Sequence, residues 1–340
     1  MLVIASTFAS LSINSAKQSR PRYAEGFGEA SGRGSMTGLP RPGGARDDSY
    51  TSMYYLGFDI GASSIKAALV KDQEIIKSRV QDLPFNLEGL LLALVKIYAD
   101  LISSLSHEEL GGAGFALAGA MDKERQVMLN SPNIKYLNGQ PIKELLEERF
   151  RGLPLKIEHD AHCFLLAEKA VGLAQNFSDV FYLTLGSGIG GAMMIGGKIF
   201  YGAHGAAGEA GHMIVDIAKG LEWEEFGANK FIKNNLGVGS LEAEQKWRQG
   251  DKKAEAILVE LGKNLGVGIA NIINIFDPEA IILSGGLSPV AGLLWPGIKE
   301  GVAKFVASPT AAKETQILFS SLGRLGGALG AAMLFEESRK

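Results

Sequence analysis

Four polar side chains that could do chemistry stand together near the middle of the chain, in the stretch IEHDAHCFLLAE. Glu158, His159, Asp160 and His162 could bind a metal, supply a catalytic base beside its helpers, or form the polar start of an apolar helix. The two histidines lack the i, i+4 spacing of a helical metal pair, which disfavours a metal site.

The neighbouring residues predict where Asp160 lies. LPLKIE is typical of a strand and AHCFLLAEKAVG of a helix, so Asp160 falls at the carboxyl end of a strand. Open α/β sheets place their ligands there. A carboxylate in this position can accept the proton of an attacking hydroxyl, or it can simply cap the helix.

Two glycine-rich turns between strands form a second set of candidates. FDIGASSIKAAL and LGSGIGGAMMIGG each predict a β-hairpin with a glycine-rich tip, one in each half of the chain. Backbone N–H groups in such tips can bind phosphate, and two facing tips could hold a triphosphate from both sides. Ordinary tight turns are the alternative. The chain has no GxxxxGK[ST] sequence and is therefore not a P-loop enzyme.

The first tip carries side chains suited to a metal nucleotide. Asp59 directly precedes it and could hold a metal ion that bridges phosphates. Ser63 and Ser64 offer hydroxyl groups, and Lys66 shares a strand face with Ser64 because side chains alternate along a strand.

A third candidate is the loop GAHGAAGEAGHMIVD, where Glu209 and His212 are three residues apart. A carboxylate and an imidazole on one loop suit the recognition of neighbouring hydroxyl groups. Ordinary loop chemistry is the alternative.

Strands that alternate with helices predict an α/β fold in two lobes around these candidates. The apolar residues of 87–105 recur at three- and four-residue spacing, which predicts an amphipathic helix and not a membrane span. Residues 1–52 show no periodicity and are rich in Gly, Ser, Arg and Pro, so we expect a disordered or non-native extension, with a transit peptide as an alternative.

Composition narrows the function classes. The 340 residues carry a net charge of −3 with both signs interspersed, which gives no reason to expect a nucleic acid or membrane partner. Cys163 is the single cysteine, so a disulfide framework is ruled out and a reducing, cytoplasmic location is expected.

From Met53 onward the chain resembles the ROK family (repressor, open reading frame, kinase). FDIGASSIKAAL resembles the first phosphate motif of the family, close to DIGGTKIxxAL, and IEHDAHCFLLAE resembles its catalytic stretch ENDANxxALAE. Four further stretches of the chain resemble motifs of the family: GFALAGAMD, LGSGIGGAMMIGGKIFYGAHGAAGEAGH, IILSGGLS and SLGRLGGALGAAML. The set is specific, although no single member of it is.

The resemblance implies a two-lobed, actin-like ATPase (ribonuclease H-like) fold and a glucokinase-like sugar kinase. The implied reaction is ATP-dependent phosphorylation of a hexose or N-acetylhexosamine at the C6 hydroxyl, with Asp160 as general base and Mg²⁺ held through water by Asp59. Sugar contacts are implied at Gly119, His159, Glu209, His212 and Glu224. Nucleotide contacts are expected at Asp59, Gly61, Ser63, Ser64, Lys66, Gly186, Ser187, Gly188, Gly190, Gly285 and Gly286.

The resemblance also implies a smaller lobe of residues 53–158 with about 325–340, a larger lobe of 159–324, and a homodimer. The zinc motif of the family, CxCGxxGCxE, is absent, because no cysteine lies between His212 and Glu224. We therefore expect no structural zinc, and packing by Trp223 in its place. His159 replaces a usual Asn that contacts a sugar hydroxyl, which leaves the identity of the sugar open. Ser64 replaces the usual Lys of the first phosphate motif, which leaves open whether Lys66 compensates.

Two other functions stay open. A sugar-binding sensor without kinase activity would explain the departures at Ser64 and His159. A ROK-type transcriptional repressor would carry a helix-turn-helix ahead of the kinase fold, and residues 1–52 show neither helical periodicity nor a basic recognition helix.

Overall fold

A computed structural model describes residues 53–106 and 109–337, so the expectation for residues 1–52 lies outside the described residues. The elements of the first half are, in chain order, β1 (Tyr54–Ile60), β2 (Ser64–Lys71), β3 (Glu74–Asp82), α1 (Leu87–Leu101), β4 (Leu110–Leu117), β5 (Ala120–Met121), β6 (Met128–Asn130), α2 (Ile142–Arg149), β7 (Leu155–His159) and α3 (Asp160–Val171). The predicted helix at 87–105 ends early, at Leu101. In its last turn, the carbonyl oxygen of Asp100 accepts hydrogen bonds from the side chains of Lys77 and Ser103.

The second half repeats the alternation of strands and helices. Its elements are β8 (Val180–Leu185), β9 (Ile189–Ile195), β10 (Lys198–Ile199), β11 (Ile214–Asp216), β12 (Leu221–Glu222), α4 (Trp223–Gly227), α5 (Asn229–Leu236), α6 (Ser240–Arg248), α7 (Lys252–Phe276), β13 (Ala280–Ser284), α8 (Ala291–Phe305), α9 (Pro309–Glu314), β14 (Gln316–Phe319) and α10 (Gly326–Glu337).

Two five-stranded sheets of matching design organise these elements. The first has the order β3-β2-β1-β4-β7 and the second β10-β9-β8-β13-β14. In each sheet the leading strand forms an antiparallel hairpin on one side and pairs in parallel with the next strand on the other. The central strands are buried almost throughout, as parallel strands covered by helices on both faces require. Both predicted glycine-tipped hairpins are therefore present.

Helices α3 and α10 pack against each other and against the first sheet, and one apolar cluster joins their residues to residues of both sheets. The helix and strand backbones approach so closely that only glycine fits at the points of contact. A Cβ on Gly57 of β1 would lie 1.7 Å from the carbonyl oxygen of Ala328 in α10, and one on Gly330 of α10 would lie 1.6 Å from that of Cys163 in α3. Since α3 begins at Asp160, this packing fixes the direction of the helix that carries the candidate base.

Helix α7 is the core helix of the second half. Among the described residues it is the one helix long and apolar enough, by length and composition, to cross a membrane. Its apolar residues pack into the cluster around the second sheet, including Leu258, Leu265 and Ile269. That packing accounts for its composition, as in the core helices of water-soluble domains.

Candidate active site

Asp160 lies where β7 ends and α3 begins, as the sequence predicts. His159, and not Asp160, takes the N-cap position, and its Nδ1 lies 3.3 Å from the backbone N–H of Ala161, which donates to it. The Asp160 carboxylate lies 3.3 Å from the same ring nitrogen and is 25% exposed. Oδ1 of Asp160 also accepts the backbone N–H of Ala161, at 2.8 Å. The exposed part of the carboxylate leaves it accessible to a ligand.

A small cavity opens beside this helix start. Its volume is about 210 Å³, and it is lined by the predicted sugar contacts Gly119, His159 and Glu209, together with His162 and His204. Drug-sized ligands occupy pockets of about 300–1,000 Å³, so this cavity suits a smaller molecule. Imidazole and carboxylate groups on its wall can donate to and accept from hydroxyl groups.

His212 and Glu224, the other predicted sugar contacts, lie outside the lining of that cavity. His212 ends a short 3₁₀ helix and is largely exposed, with its Nδ1 3.0 Å from Oε2 of Glu222. The hydrogen bond to Glu222 raises the pKa of His212. The carboxylate of Glu224 lies against Gly188, where an added Cβ would be 2.3 Å from its Oε2. Glu224 therefore adjoins the second glycine turn.

Asp59 is the penultimate residue of β1, just before the first glycine turn, and is almost fully buried. Its Oδ2 lies 3.0 Å from Nζ of Lys66. Burial raises the pKa of Asp59 to about 6, the Lys66 ammonium opposes that rise, and the negative charge of Asp160 adds to it. The charge of Asp160 thus reaches Asp59 at the first glycine turn.

The tip of the first turn places the remaining predicted groups. Gly61 donates its backbone N–H to the carbonyl oxygen of Ser64 at 3.1 Å, which closes the turn. Ser63 is exposed and Ser64 half-buried. A Cβ on Gly61 would be 3.3 Å from Nζ of Lys66, so the ammonium group of Lys66 lies at the tip, where it could meet a phosphate.

The second turn meets the loop after β13. Gly186 donates to the carbonyl oxygen of Gly188 at 3.0 Å. Gly285 has φ +98°, and a Cβ there would be 2.5 Å from the carbonyl oxygen of Leu185. This contact brings Gly285 and the adjoining Gly286 beside the turn that carries Gly186, Ser187, Gly188 and Gly190.

The described residues fit Mg-ATP. The donor set at the first turn contains one buried carboxylate, Asp59, with Lys66 beside it. Mg²⁺ keeps several waters and takes few protein carboxylates when it binds with a nucleotide, which suits one carboxylate and a glycine-rich turn. Within the described residues no group of three or more His, Cys, Asp or Glu side chains could hold a metal by itself.

Trp223 occupies the segment where the zinc loop of the resembling family would lie. It is 1% exposed, and its indole N–H donates to the carbonyl oxygen of Asn264 in α7 at 3.0 Å. Its backbone N–H donates to Met213 at 2.7 Å. Packing on the core helix therefore holds the chain after His212, as the sequence predicts.

One further residue at the site has no signal in the sequence. Arg125, from the turn between β5 and β6, lines the same cavity as His159. Its Nη2 lies 3.0 Å from Oε1 of Glu158, which is 8% exposed. A contact between residues so far apart in the chain leaves no local pattern, so only the fold reveals it.

Comparisons with known proteins agree with this architecture. The ROK family profile matches residues 55–338. The glucokinase of Streptomyces coelicolor is 26% identical over 314 residues, which cover 83% of this chain and 97% of that enzyme. A ROK family glucokinase from Streptomyces griseus, solved with glucose and AMPPNP, aligns with a TM-score of 0.72 at 28% identity and covers 83% of this chain and 98% of that one.

The similar proteins also include transcriptional regulators. A xylose repressor of Caldicellulosiruptor bescii is 27% identical over 215 residues, which cover 56% of this chain and 53% of the repressor. With its profile match running from the first strand to the last helix, and with the actin-like ATPase fold of the sugar kinases, the chain belongs to the ROK family.

Proposed function

We propose that the protein phosphorylates a hexose or N-acetylhexosamine with ATP, at the C6 hydroxyl. One observation supports the proposal: the partly exposed carboxylate of Asp160 adjoins His159, which lines a small cavity with Glu209, and its charge reaches Asp59 at the first glycine turn. A sugar hydroxyl in the cavity and a phosphate on the turn would meet at this carboxylate. The kinase relatives support the same reaction class.

In the proposed reaction, Asp160 accepts the proton of the sugar hydroxyl as the oxygen attacks the γ-phosphorus. A new oxygen–phosphorus bond forms while the bond from that phosphorus to ADP breaks, and ADP keeps the bonding electrons. Glu209 and His159 orient the ring in the cavity, which Gly119 also lines. His212 and Glu224 fix the part of the sugar that extends toward the second turn.

The proposal gives the phosphates to the two glycine turns and the adenosine side to Gly285 and Gly286. Asp59 would hold Mg²⁺ through water, and a metal ion there neutralises charge on the transferred phosphoryl group. Lys66 contributes a second positive charge at the same tip. In this arrangement residues 53–158 with about 325–340 form one lobe and 159–324 the other, and closure of the lobes excludes water.

The direct test is ADP release from Mg-ATP over a panel of hexoses and N-acetylhexosamines. We expect turnover on one class of sugar, and a loss of about 10²–10⁴-fold in Asp160→Asn, as for removal of a general base. Asp277→Asn is the matched control, because Asp277 caps the far end of α7 in a left-handed conformation (φ +47°) that Asn also adopts. An Asp160→Asn enzyme within about threefold of wild type would refute the assignment of the base.

A sugar-binding sensor without transfer is the second candidate. The observation in its favour is that Lys66 is engaged by Asp59, while Ser64 holds the position of the usual lysine. Calorimetry with the ATP analogue AMPPNP and with the sugar panel separates the two functions. Binding of both ligands without ADP release from ATP would identify the sensor.

A further inference from the structure

We propose that Arg125 is a positioning residue for the catalytic segment: through Glu158 it fixes the backbone at His159 and thereby the carboxylate of Asp160. The inference rests on the proposed function, since it assigns a role in that reaction. Arg125 acts at one remove from the base and is not itself a catalytic residue.

The backbone at Arg125 is the first observation. Its φ of +56° lies in the left-handed region that disfavours residues other than glycine. The turn holds this conformation through hydrogen bonds to Asp122. The backbone N–H of Arg125 donates to the carbonyl oxygen of Asp122 at 3.0 Å, and the carboxylate of Asp122 accepts from Gln126 and Val127 at 2.6 and 2.9 Å. Such strain persists only where the surroundings enforce it, and it clusters at functional sites.

The contact with Glu158 is the second observation. Nε and Nη2 of Arg125 lie 3.2 and 3.0 Å from Oε1 of Glu158, and both side chains are largely buried. The same oxygen accepts the backbone N–H of His159 at 2.7 Å and lies 2.9 Å from Nδ1 of His162. Arg125 therefore supplies a permanent positive charge to the carboxylate that holds the residue before Asp160.

Loss of Arg125 would reach the base through this contact. A buried carboxylate without its cation takes up a proton or moves toward water. Either change weakens its hold on the His159 amide, and Asp160 follows directly in the chain. Catalytic geometry is sensitive at this scale, because a misplacement of about 1 Å can cost about 10²-fold in rate.

Arg125 also contacts the loop that leads to Glu209. Its guanidinium lies 5.7 Å from the ring centre of Tyr201, and a Cβ on Gly205 would be 3.5 Å from its Nη1. The ring of Tyr201 packs edge-on against His162 at 5.1 Å. One side chain thus joins the turn of residues 122–127, the start of α3 and the loop of residues 201–205.

Kinetics of Arg125→Met and Arg125→Lys test the role. We expect Arg125→Met to lower kcat about 10–100-fold, the usual effect of removing a supporting partner. The KM for Mg-ATP should stay within about twofold, and Arg125→Lys should recover part of the lost kcat, because it keeps the charge. Arg149→Met is the matched control, since Arg149 forms a comparable pair with Glu88 on an exposed surface, with Nη2 and Oε2 2.8 Å apart.

Hydrogen exchange provides a readout that does not depend on turnover. In Arg125→Met we expect faster exchange of the amides of residues 159–162, with the amides of β13 unchanged. If the wild-type protein phosphorylates no sugar, the proposed function fails, while the exchange rates still test Arg125. An unchanged exchange rate at 159–162, or a raised KM for sugar with kcat intact, would overturn the positioning role.

Discussion

The indole ring of Trp223 lies directly across Gly268 of helix α7. A Cβ built on Gly268 would be 1.9 Å from Cε2 of Trp223, so only glycine allows the two to pack this closely. The indole N–H is satisfied by the carbonyl oxygen of Asn264 one turn earlier. The packing of Trp223 on the helix surface at Gly268 therefore holds the segment after His212.

This contact predicts a large stability loss in Trp223→Ala. Truncation of a buried tryptophan costs about 3–5 kcal/mol, from lost burial and the cavity left behind. Urea unfolding followed by circular dichroism measures the free energy of unfolding. Trp295→Ala is the control, because Trp295 is only half-buried on the same apolar cluster. An equal loss in the free energy of unfolding for the two variants would contradict a special role for the contact between Trp223 and Gly268.

Gly57→Ala tests the packing of α10 on the first sheet. The added methyl group would meet the backbone of Ala328 at 1.7 Å, so helix and sheet must separate. We expect a loss of about 1–3 kcal/mol or more, as for overpacked cores. Gly292→Ala is the matched control, since a Cβ there meets nothing within 4 Å and alanine favours the helix α8. Equal melting temperatures for the two variants would contradict the close packing.

Lys66→Met tests the first glycine turn. Lys66 contributes a positive charge beside Asp59, and hydrogen bonds to charged groups contribute about 1.5–3 kcal/mol. We expect the KM for Mg-ATP to rise about tenfold or more, with a smaller change in the KM for sugar. Lys77→Met, on the neighbouring strand β3 and away from the turn, should leave both constants unchanged. Equal effects of Lys66→Met on the two substrates would argue against a phosphate role.

The lowered pKa of Glu158 predicts how the stability of the fold depends on pH. Burial alone would raise the pKa of Glu158, but the hydrogen bond from His162 and the charge of Arg125 outweigh it and lower that pKa below its ordinary value of 4.5. The unfolded chain then binds the proton more readily, so this stabilisation is present above about pH 4.5 and is lost as the pH falls through the lowered value. Thermal melting from pH 7 downward should show a shallower acid decline in Glu158→Gln than in wild type. If the melting temperatures of the two proteins fall equally steeply with pH, Glu158 does not contribute this pH dependence.

His159→Asn should change which sugar is preferred. Asn keeps the N-cap of α3 but removes the bulk of the imidazole from the cavity wall. We expect kcat/KM for N-acetylhexosamines to rise relative to hexoses by about 10-fold or more, the usual reach of a changed pocket contact. Competition assays with paired sugars measure this ratio. An unchanged ratio would show that His159 does not limit the size of the substrate.

Local patterns carry much of the fold and part of the candidate site. Strand alternation and glycine clusters predict both hairpins, and the strand-to-helix change at Asp160 predicts its position. Contacts across long stretches of chain leave no such pattern. Arg125 meets Glu158, and Trp223 meets Gly268, only because separate elements are brought together by the packed helices. For the same reason the sequence could not show that Glu224 lies against Gly188.

The position of α10 at the end of the described chain determines when the first sheet can complete its packing during synthesis. Residues 326–337 cover β1 and β4, strands that leave the ribosome far earlier, through backbone contacts such as Gly57 with Ala328. Domains generally fold as they emerge during synthesis, but here the first sheet lacks one of its covering helices until α10 has been made. We therefore expect the first sheet to complete its packing only after residues 326–337 have been made, with apolar surface of its central strands exposed until then.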